Sequence, residues 1–298
     1  MVVDILLLSL SLIASAFVVD LIRLALRRGQ LSLSVEAAGL GVITDFFDTL
    51  GIGSFAPTTA WIKFRRLVPD SHIPATLNVG HGLPSVAEAL IFITLVSVDP
   101  LLLAGCIASG VAGSLIGASL VVRLPVRAVQ AIVGTALVIA AALYAMKNLG
   151  LMPAGGDALS LPPVYTGIAV VAHFFLGALM TFGIGLFAPS LILLSLMGLN
   201  PVAAFPIMMG ACAFLMPVSG FRFMRTERID FRVVLGLTVG GIPAVLVAAY
   251  VVKSLPLVTL RWGVVVVVLY AAVLLLRSAF SRASVPSPAP TAAQQNEM

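Results

Sequence analysis

Four ionisable side chains lie within long apolar stretches of this sequence: Asp45, Asp48, His81 and Glu88. Asp45 and Asp48 are three residues apart, so on a helix they share one face, as do His81 and Glu88. An imidazole with nearby carboxylates is suited to passing protons near neutral pH. Proton transfer is therefore the first hypothesis. The alternatives are that the carboxylates cap helix breaks or bond to each other, or that the four residues bind a metal, although their spacing matches no recognised motif.

The composition is typical of an integral membrane protein. The chain has 298 residues, of which 60% are hydrophobic and only 10% are charged, and its mean hydropathy is +1.15. A soluble domain carries about 25% charged residues. Several apolar stretches reach the roughly 20 residues that cross a bilayer as a helix, and the alternating pattern of a barrel strand is absent. Residues 3–26 are predicted to form a first span that is retained rather than cleaved as a signal peptide.

The net charge of +5 does not indicate a nucleic-acid partner, because Lys and Arg lie mainly in short connections between apolar stretches. Basic residues are enriched in the cytoplasmic loops of membrane proteins. Cys106 and Cys212 lie within apolar stretches and do not suggest a disulfide framework. No cofactor is expected from these features.

One motif is written twice in the chain. Residues 49–57 read TLGIGSFAP and residues 181–189 read TFGIGLFAP, so seven of nine positions are identical at a shift of 132. Asp99 and Asp230, and the Leu-Pro pairs at 124–125 and 255–256, recur in the same order at a shift of 131. We therefore predict an N-terminal span in 1–33, repeats in 34–147 and 164–277, a linker in 148–163 and a disordered cytoplasmic tail in 278–298.

The charges of the connections predict the orientation of the two repeats. The basic connections are residues 23–28, 63–66, 123–127, 222–232 and 277–282. All of them fall on the cytoplasmic side if residues 34–62, and the equivalent residues 165–198, each form a hairpin that enters and leaves on one side. Its arms, about 37–50 and 54–64, would reach roughly 21 and 17 Å, too short for a core of about 30 Å. The expected fold is all-α and polytopic, with two inverted repeats, each a re-entrant or broken hairpin plus three transmembrane helices.

The repeated motif predicts a helix break inside each hairpin. The glycines allow the chain to leave the helix, and Pro57 and Pro189 fall in the first turn of the next half-helix. The N–H groups at such a terminus attract an anion. The glycines could instead only permit close helix packing. The expected substrate-binding residues are Thr49, Gly51, Gly53, Ser54, Thr58, Asn78, His81, His173, Thr181, Gly183, Gly185 and Ser190.

The duplicated Gly-Ile-Gly breaks, the short half-helices with a proline and the Asp-to-Leu-Pro landmarks resemble the sulfite exporter TauE/SafE family of bacterial permeases. The resemblance covers about residues 34–277. It implies secondary transport of sulfite, sulfonates, sulfoacetate or another small organic anion across the bacterial inner membrane. Family members often have a Gly-Gly-Gly break, whereas Asp45 and Asp48 precede the first break here. These carboxylates would repel an anion unless protonated, and they could equally couple its movement to protons.

The sequence therefore predicts a multi-pass permease of the bacterial inner membrane and no enzymatic activity. Asp45, Asp48, His81 and Glu88 are the expected proton-coupling residues, and the expected partners are a small anion, protons and membrane lipid. The oligomeric state is left open, with a homodimer as one alternative. Two rival functions are transport of a cation or metal through the acidic residues of the first repeat, and hydrolysis or group transfer by a membrane-embedded enzyme. The exact substrate, the direction of transport and the coupling ion are also left open.

Overall fold

The computed structural model describes residues 2–117, 156–181, 183–226, 228–254 and 257–280, with isolated residues and pairs between 131 and 149. The basic connection at 123–127, both Leu-Pro landmarks and most of the predicted tail lie outside these residues. The helices are α1 Val2–Arg27, α2 Val35–Thr49, α3 Phe55–Arg65, α4 Ile73–Gly80, α5 Gly82–Leu95, α6 Pro100–Ala112, α7 Pro163–Met180, α8 Phe187–Leu196, α9 Pro201–Phe223, α10 Phe231–Ser254 and α11 Leu257–Phe280.

The described part of the chain is helical apart from loops and one isolated bridge between Ala158 and Leu199. Four of its helices, α1, α7, α9 and α10, are long and apolar enough to cross a membrane. The predicted all-α, multi-pass class is therefore confirmed, and α1 is the predicted first span. At the other end of the chain, α11 continues to Phe280.

The first predicted hairpin consists of two short helices. α2 has 15 residues and α3 has 11, so they reach roughly 23 and 17 Å, less than a hydrocarbon core of about 30 Å. Near the end of α3, Trp61 Nε1 and Arg65 Nε both donate to Glu36 Oε1 at the start of α2, at 3.1 and 2.7 Å. The hairpin therefore leaves on the side on which it entered.

The second break separates α7 from α8, whose lengths of 18 and 10 residues make its arms less equal than those of the first. Gly51, Gly53 and Gly183 have φ values of +90°, +88° and +86°. These values lie in the region that glycine adopts without steric cost. Gly185 lies in the same loop between α7 and α8, but its φ is not positive. Pro57 and Pro189 each occupy the third position of the following helix.

The span expected after the first hairpin is two helices, α4 and α5, which meet at His81. The physical reason for this difference is Pro84, which lacks an N–H and whose ring crowds the carbonyl of Gly80 four residues before it. The carbonyl oxygen of Gly80 instead accepts a hydrogen bond from Thr238 Oγ1 of α10, at 2.8 Å. The break therefore leaves no unpaired carbonyl at Gly80 and fixes His81 at the junction.

The two halves pack against each other through two equivalent helix pairs, α2 with α10 and α6 with α7. In one pairing, Gly236 and Gly240 of α10 face Ser34 and Ala38 of α2, so residue numbers rise together and the helices are parallel. In the other pairing, Gly110 and Gly113 of α6 face the backbone of α7, and these helices are also parallel. By their order in the chain, α6 of the first half corresponds to α10 of the second. Each of these helices packs against the broken helix of the other half.

The basic connections at 23–28, 63–66 and 222–232 meet at one end of the molecule, which we call the basic end. Arg28 Nη2 donates to the Thr226 carbonyl at 2.8 Å, and Arg225 pairs with Asp20 at 2.9 Å. The amide of Ser34 donates to the Arg232 carbonyl at 3.1 Å, which joins the start of α2 to the same region. The connections at 96–99, 157–162 and 198–200 lie together elsewhere, through bonds of Ala158 and Leu159 to Asn200 and Asp99.

The glycines between α2 and α10 should be essential for folding. A Cβ at Gly240 would overlap the Ala38 carbonyl, whereas a Cβ at Gly39 on α2 meets nothing within 4 Å. We expect Gly240→Ala to destabilise the protein by about 1–3 kcal/mol, the usual cost of overpacking. Gly39→Ala should be neutral or stabilising. Thermal midpoints of the purified variants in detergent test this, and equal midpoints for the two variants would contradict the packing described.

Candidate functional site

A buried chain of polar groups joins three elements of the first half. Asp45 on α2 accepts from the junction histidine, with 2.7 Å between Oδ1 and His81 Nδ1. The other ring nitrogen, Nε2, lies 3.0 Å from the Thr58 hydroxyl on α3. All three side chains have no exposed surface. The order carboxylate, imidazole, hydroxyl fixes the ring orientation and offers a path along which a proton can move between α2 and α3.

Glu88 on α5 extends this network to the end of α2. The Thr49 hydroxyl has one proton but two acceptors, Glu88 Oε1 at 2.7 Å and the Asp45 carbonyl oxygen at 2.9 Å. If Glu88 is ionised, only one of these contacts is a hydrogen bond. If Glu88 is protonated, its O–H donates to Thr49 and Thr49 donates to the carbonyl, so both contacts are satisfied. The geometry therefore favours a neutral Glu88.

Two carboxyl oxygens of this network are buried without a hydrogen-bond partner among the described residues: Asp45 Oδ2 and Glu88 Oε2. An unpaired ionised oxygen in such a place costs several kcal/mol, on the order of the penalty for burying a charge. Gly241 of α10 leaves the space that Asp45 Oδ2 occupies, because any Cβ there would overlap this oxygen. The network therefore contains protonatable groups whose hydrogen bonds are not all satisfied within the described residues.

Asp48 has a different role from its neighbour Asp45. Its Oδ1 accepts from the Ser54 backbone N–H at 2.8 Å and its Oδ2 from the Ser54 hydroxyl at 2.9 Å. The carboxylate therefore caps the start of α3, where unpaired N–H groups and the helix dipole favour a negative charge. Both donors of Ser54, a predicted binding residue, are therefore held by Asp48 in this structure.

In the second half, the hydroxyl that corresponds to that of Thr58 contacts a histidine on α7. Ser190 on α8 corresponds to Thr58 on α3 and lies 3.0 Å from His173 Nε2. His173 Nδ1 donates to the Ala169 carbonyl at 2.8 Å, because a carbonyl can only accept. Nε2 is then the acceptor of the Ser190 proton, and the neutral tautomer is fixed. His173 lacks the carboxylate partner that His81 has, so the structure gives it a positioning contact only.

A small cavity of about 10 Å³ lies between the two breaks. This is about the volume that one enclosed water molecule needs, so the cavity must widen before it can hold a larger ion or molecule. The lining residues come from matching positions of the halves: Gly53, Ser54 and Phe55 from the first break, Gly185, Leu186 and Phe187 from the second, and the facing pairs Asp48 with Met180 and Ser85 with Met216. Ser85 Oγ donates to Met216 Sδ across the cavity at 3.5 Å.

The remaining predicted residues lie around this cavity rather than in its wall. Asn78 Nδ2 contacts the Met180 carbonyl at 3.4 Å and its Oδ1 contacts the Ser219 hydroxyl at 3.4 Å. Gly51 packs against Leu191, and Gly183 packs against Leu77. Thr181, with 9% of its surface exposed, lines a separate and larger cavity.

Sequence reasoning missed Ser85, Met180, Met216 and Cys212 as neighbours of the breaks. The signal was available, because the 131-residue shift aligns Ser85 with Met216 and His81 with Cys212. Cys212 Sγ lies 3.5 Å from Met180 Sδ, which places a sulfur pair where the first half has its ionisable network. Within the described residues, no group of three or more His, Cys, Asp or Glu side chains is arranged to hold a metal ion.

Residues 165–296 match the protein-family model described as Sulfite exporter TauE/SafE. The second half of the chain matches the TauE/SafE family. The match confirms the resemblance predicted from the sequence, and it includes the second break, α8 and the cavity wall around Gly185. Comparison with curated proteins and with solved structures gives no significant match. Together with the apolar helices, the TauE/SafE match indicates a multi-pass membrane transport protein.

The protonation of Glu88 can be tested by substitution. Glu88→Gln replaces the O–H donor with an N–H donor to Thr49, so we expect a loss of stability below about 1 kcal/mol. Glu88→Ala removes the donor and leaves a void, so it should cost about 2 kcal/mol or more. Thermal midpoints in detergent compare the two variants, and the infrared band of a protonated carboxyl should disappear in Glu88→Gln. Equal destabilisation by both variants, with no change in that band, would show that Glu88 is ionised.

Proposed function

We propose that this protein is a secondary transporter that moves a small sulfur oxyanion or organosulfonate across the bacterial inner membrane, coupled to protons. The match of the second half to sulfite exporters supports the substrate class. The apolar helices and the arginines at the basic end support a multi-pass protein with that end in the cytoplasm. The family's role in sulfite export favours outward movement of the anion.

The observation that carries the proposal is the difference between the two half-helix termini. The N-terminus of α3 binds a carboxylate of the chain itself, that of Asp48. At the matching position before α8 stands Met180, which has no charge, and no side chain caps α8 within the described residues. Asp48 therefore marks where an anionic group binds in the first half. We propose that the transported anion takes the equivalent position in the second half, at Gly185, Leu186 and Phe187.

The cavity supports this assignment by its location at the two breaks. Backbone N–H groups at the start of α8 are the donors that a small oxyanion prefers, and the cavity would widen to admit it. Gly185 leaves the approach open, because among the described residues a Cβ at this position would meet only Phe55 Cβ, at 3.8 Å. Ser85 adds a hydroxyl that can turn from Met216 to the anion. Of the predicted binding residues, Gly53 and Gly185 thus remain candidates for direct contact, whereas both donors of Ser54 are held by Asp48.

The other predicted binding residues would then form a layer that supports the breaks. Thr58 with His81 and Ser190 with His173 join each short helix to the helices behind it, at 3.0 Å in both pairs. Thr49 contacts Glu88, and Gly51 and Gly183 provide the turns. Substitution of these residues is expected to displace the breaks and so to weaken binding indirectly.

We further propose that the halves are inverted repeats. Within the first half, α2 and α3 form a hairpin, so α6 runs opposite to α2. Because α6 is parallel to α7, the second half begins in the opposite direction to the first. The parallel pairing of α10 with α2 supports the same relation. Inverted repeats that meet at broken helices suit alternating access around one central site.

Proton coupling follows from the two charges that the cavity would hold. An anion bound at α8 shares the cavity with the Asp48 carboxylate, and like charges in apolar surroundings repel strongly. Binding therefore favours the uptake of a proton by Asp48 or by its neighbours Asp45, His81 and Glu88. The unpaired oxygens of Asp45 and Glu88 provide positions for that proton.

A second candidate function, hydrolysis, rests on one observation. Asp45, His81 and Thr58 are connected in the order of an acid–base–nucleophile triad. Against this function, Thr58 has no exposed surface and does not line the cavity between the breaks. Labelling of the purified protein by a fluorophosphonate, lost in Thr58→Val, would support hydrolysis. We expect no labelling.

The rival transport of a cation or metal would use the same acidic residues. Two of their oxygens are unpaired, but the described residues provide no cluster of three metal-binding side chains. A metal needs several such ligands at once. Anion transport is therefore the function that the site supports best.

A change at Met180 tests where the anion binds. Met180→Asp would place a carboxylate where Asp48 stands in the first half, so it should occupy the α8 terminus and abolish uptake of labelled sulfite. Met180→Leu is the matched control, because it keeps the volume without the charge, and it should retain uptake to within about threefold. Proteoliposome assays measure both. Normal uptake by a folded Met180→Asp variant would contradict binding at this terminus.

A change at Asp45 tests proton coupling. Asp45→Asn keeps an acceptor for His81 but removes a proton-binding group, so pH-driven accumulation of sulfite should fall at least about tenfold. Exchange of sulfite between the two sides, which needs no net proton movement, should persist. Asp99→Asn is the control, because Asp99 caps α6 outside the network and asparagine caps equally well. Loss of exchange together with accumulation would indicate damage to the site rather than uncoupling.

A further inference from the structure

A second cavity of about 310 Å³ lies apart from the one between the breaks. Its lining begins at Arg222 and Thr226 in the basic end and reaches Thr181 at the tip of the second hairpin. The second hairpin starts at the opposite end, near Leu159, so its tip lies deep within the molecule. This cavity, which we call the vestibule, therefore leads from the basic end towards the centre.

The chemistry of the vestibule differs from that of the other cavities. Its polar lining consists of four hydroxyl side chains, Ser114, Thr181, Ser219 and Thr226, and the guanidinium of Arg222. Among the described residues, the lining contains no acidic side chain. Arg222 forms no ion pair with any of them, whereas the neighbouring Arg225 pairs with Asp20 and Arg232 pairs with Asp230. The four hydroxyls donate to carbonyls of their own helices, so they would have to turn from these carbonyls to an anion that the guanidinium attracts.

Only a thin partition separates the vestibule from the central cavity. Thr181 lines the vestibule and its neighbour Met180 lines the central cavity. Asn78 joins the two walls, with 3.4 Å from Nδ2 to the Met180 carbonyl and 3.4 Å from Oδ1 to the Ser219 hydroxyl. Both distances are near the upper limit for hydrogen bonds, so little energy opposes their opening.

We propose that the vestibule is a separate binding site for the transported oxyanion, which it loads from the cytoplasm before the anion reaches α8. The inference rests on the proposed function. It adds a loading site, assigns that site to the cytoplasmic side, and names Arg222 as the residue that attracts the anion. The hydroxyls of Thr181 and Ser219 hold the anion at the inner end of the vestibule. Opening of the Asn78 contacts then connects the two sites.

Uptake of labelled sulfite tests the vestibule in inside-out vesicles, whose outer face is the cytoplasmic one. Arg222→Gln should raise KM for sulfite about tenfold, the effect of losing one charge-assisted hydrogen bond, with little change in kcat. Arg222→Lys should restore part of the affinity. Because salt screens exposed charges, the difference between wild type and Arg222→Gln should shrink at high ionic strength.

Arg228→Gln is the matched control, because it removes the same charge from the same connection but does not line the vestibule. It should leave KM within about twofold of wild type, since an exposed charge away from the site has little effect. Equal KM values for Arg222→Gln and Arg228→Gln, with an active wild type, would contradict anion binding in the vestibule but would not affect the proposed transport function. Absence of sulfite uptake by wild type would instead overturn the proposed function.

Loading from the other side separates a binding role from a folding role. In right-side-out vesicles, sulfite enters from the opposite face, so Arg222→Gln should leave KM unchanged there. Thr181→Val, which keeps the shape but removes the hydroxyl, should weaken only cytoplasmic loading. An equal loss from both faces, or a lowered thermal midpoint in Arg222→Gln, would mean that the residue is structural.

Discussion

A helix that ends inside an apolar protein leaves backbone N–H groups that need acceptors, and this requirement governs the structure between the two halves. Each half breaks a helix at a Gly-Ile-Gly sequence and begins a new one a few residues later. In the first half, the carboxylate of Asp48 meets the requirement by accepting two bonds from Ser54. In the second half, Met180 stands at the matching position and cannot do so. The proposed substrate site is the place where the chain provides donors but no acceptor.

The division of roles between the halves follows from this difference. The first half holds the ionisable residues, including the buried pair of Asp45 and His81. The second half replaces His81 with Cys212 and places its own histidine, His173, against a backbone carbonyl. One half is thus suited to bind protons and the other to bind an anion. Because the two breaks share a wall, a charge that enters one site changes the energy of a charge in the other, which is the physical basis of coupling.

Much of this arrangement could be predicted from the sequence. Composition fixes the helical membrane class, the two copies of the motif locate both breaks, and Pro57 and Pro189 locate the helices that follow them. The partners of each polar residue could not be predicted, because they depend on contacts between distant segments. At the break caused by Pro84, the Gly80 carbonyl is paired by Thr238, which lies 158 residues after Gly80 in the chain. Sequence spacing likewise gave no reason to separate Asp48, which caps a helix, from Asp45, which binds a histidine.

The central claim is that the protein binds a small oxyanion at the terminus that the chain leaves uncapped. The most direct measurement is the thermal midpoint of the purified protein with sulfite, organosulfonates, carboxylates and divalent metal ions, because only a ligand of the folded state raises the midpoint. We expect a saturable rise with sulfite or a sulfonate and none with the metal ions. A rise with a divalent metal ion alone would contradict the account and would assign the acidic residues of the first half to cation transport.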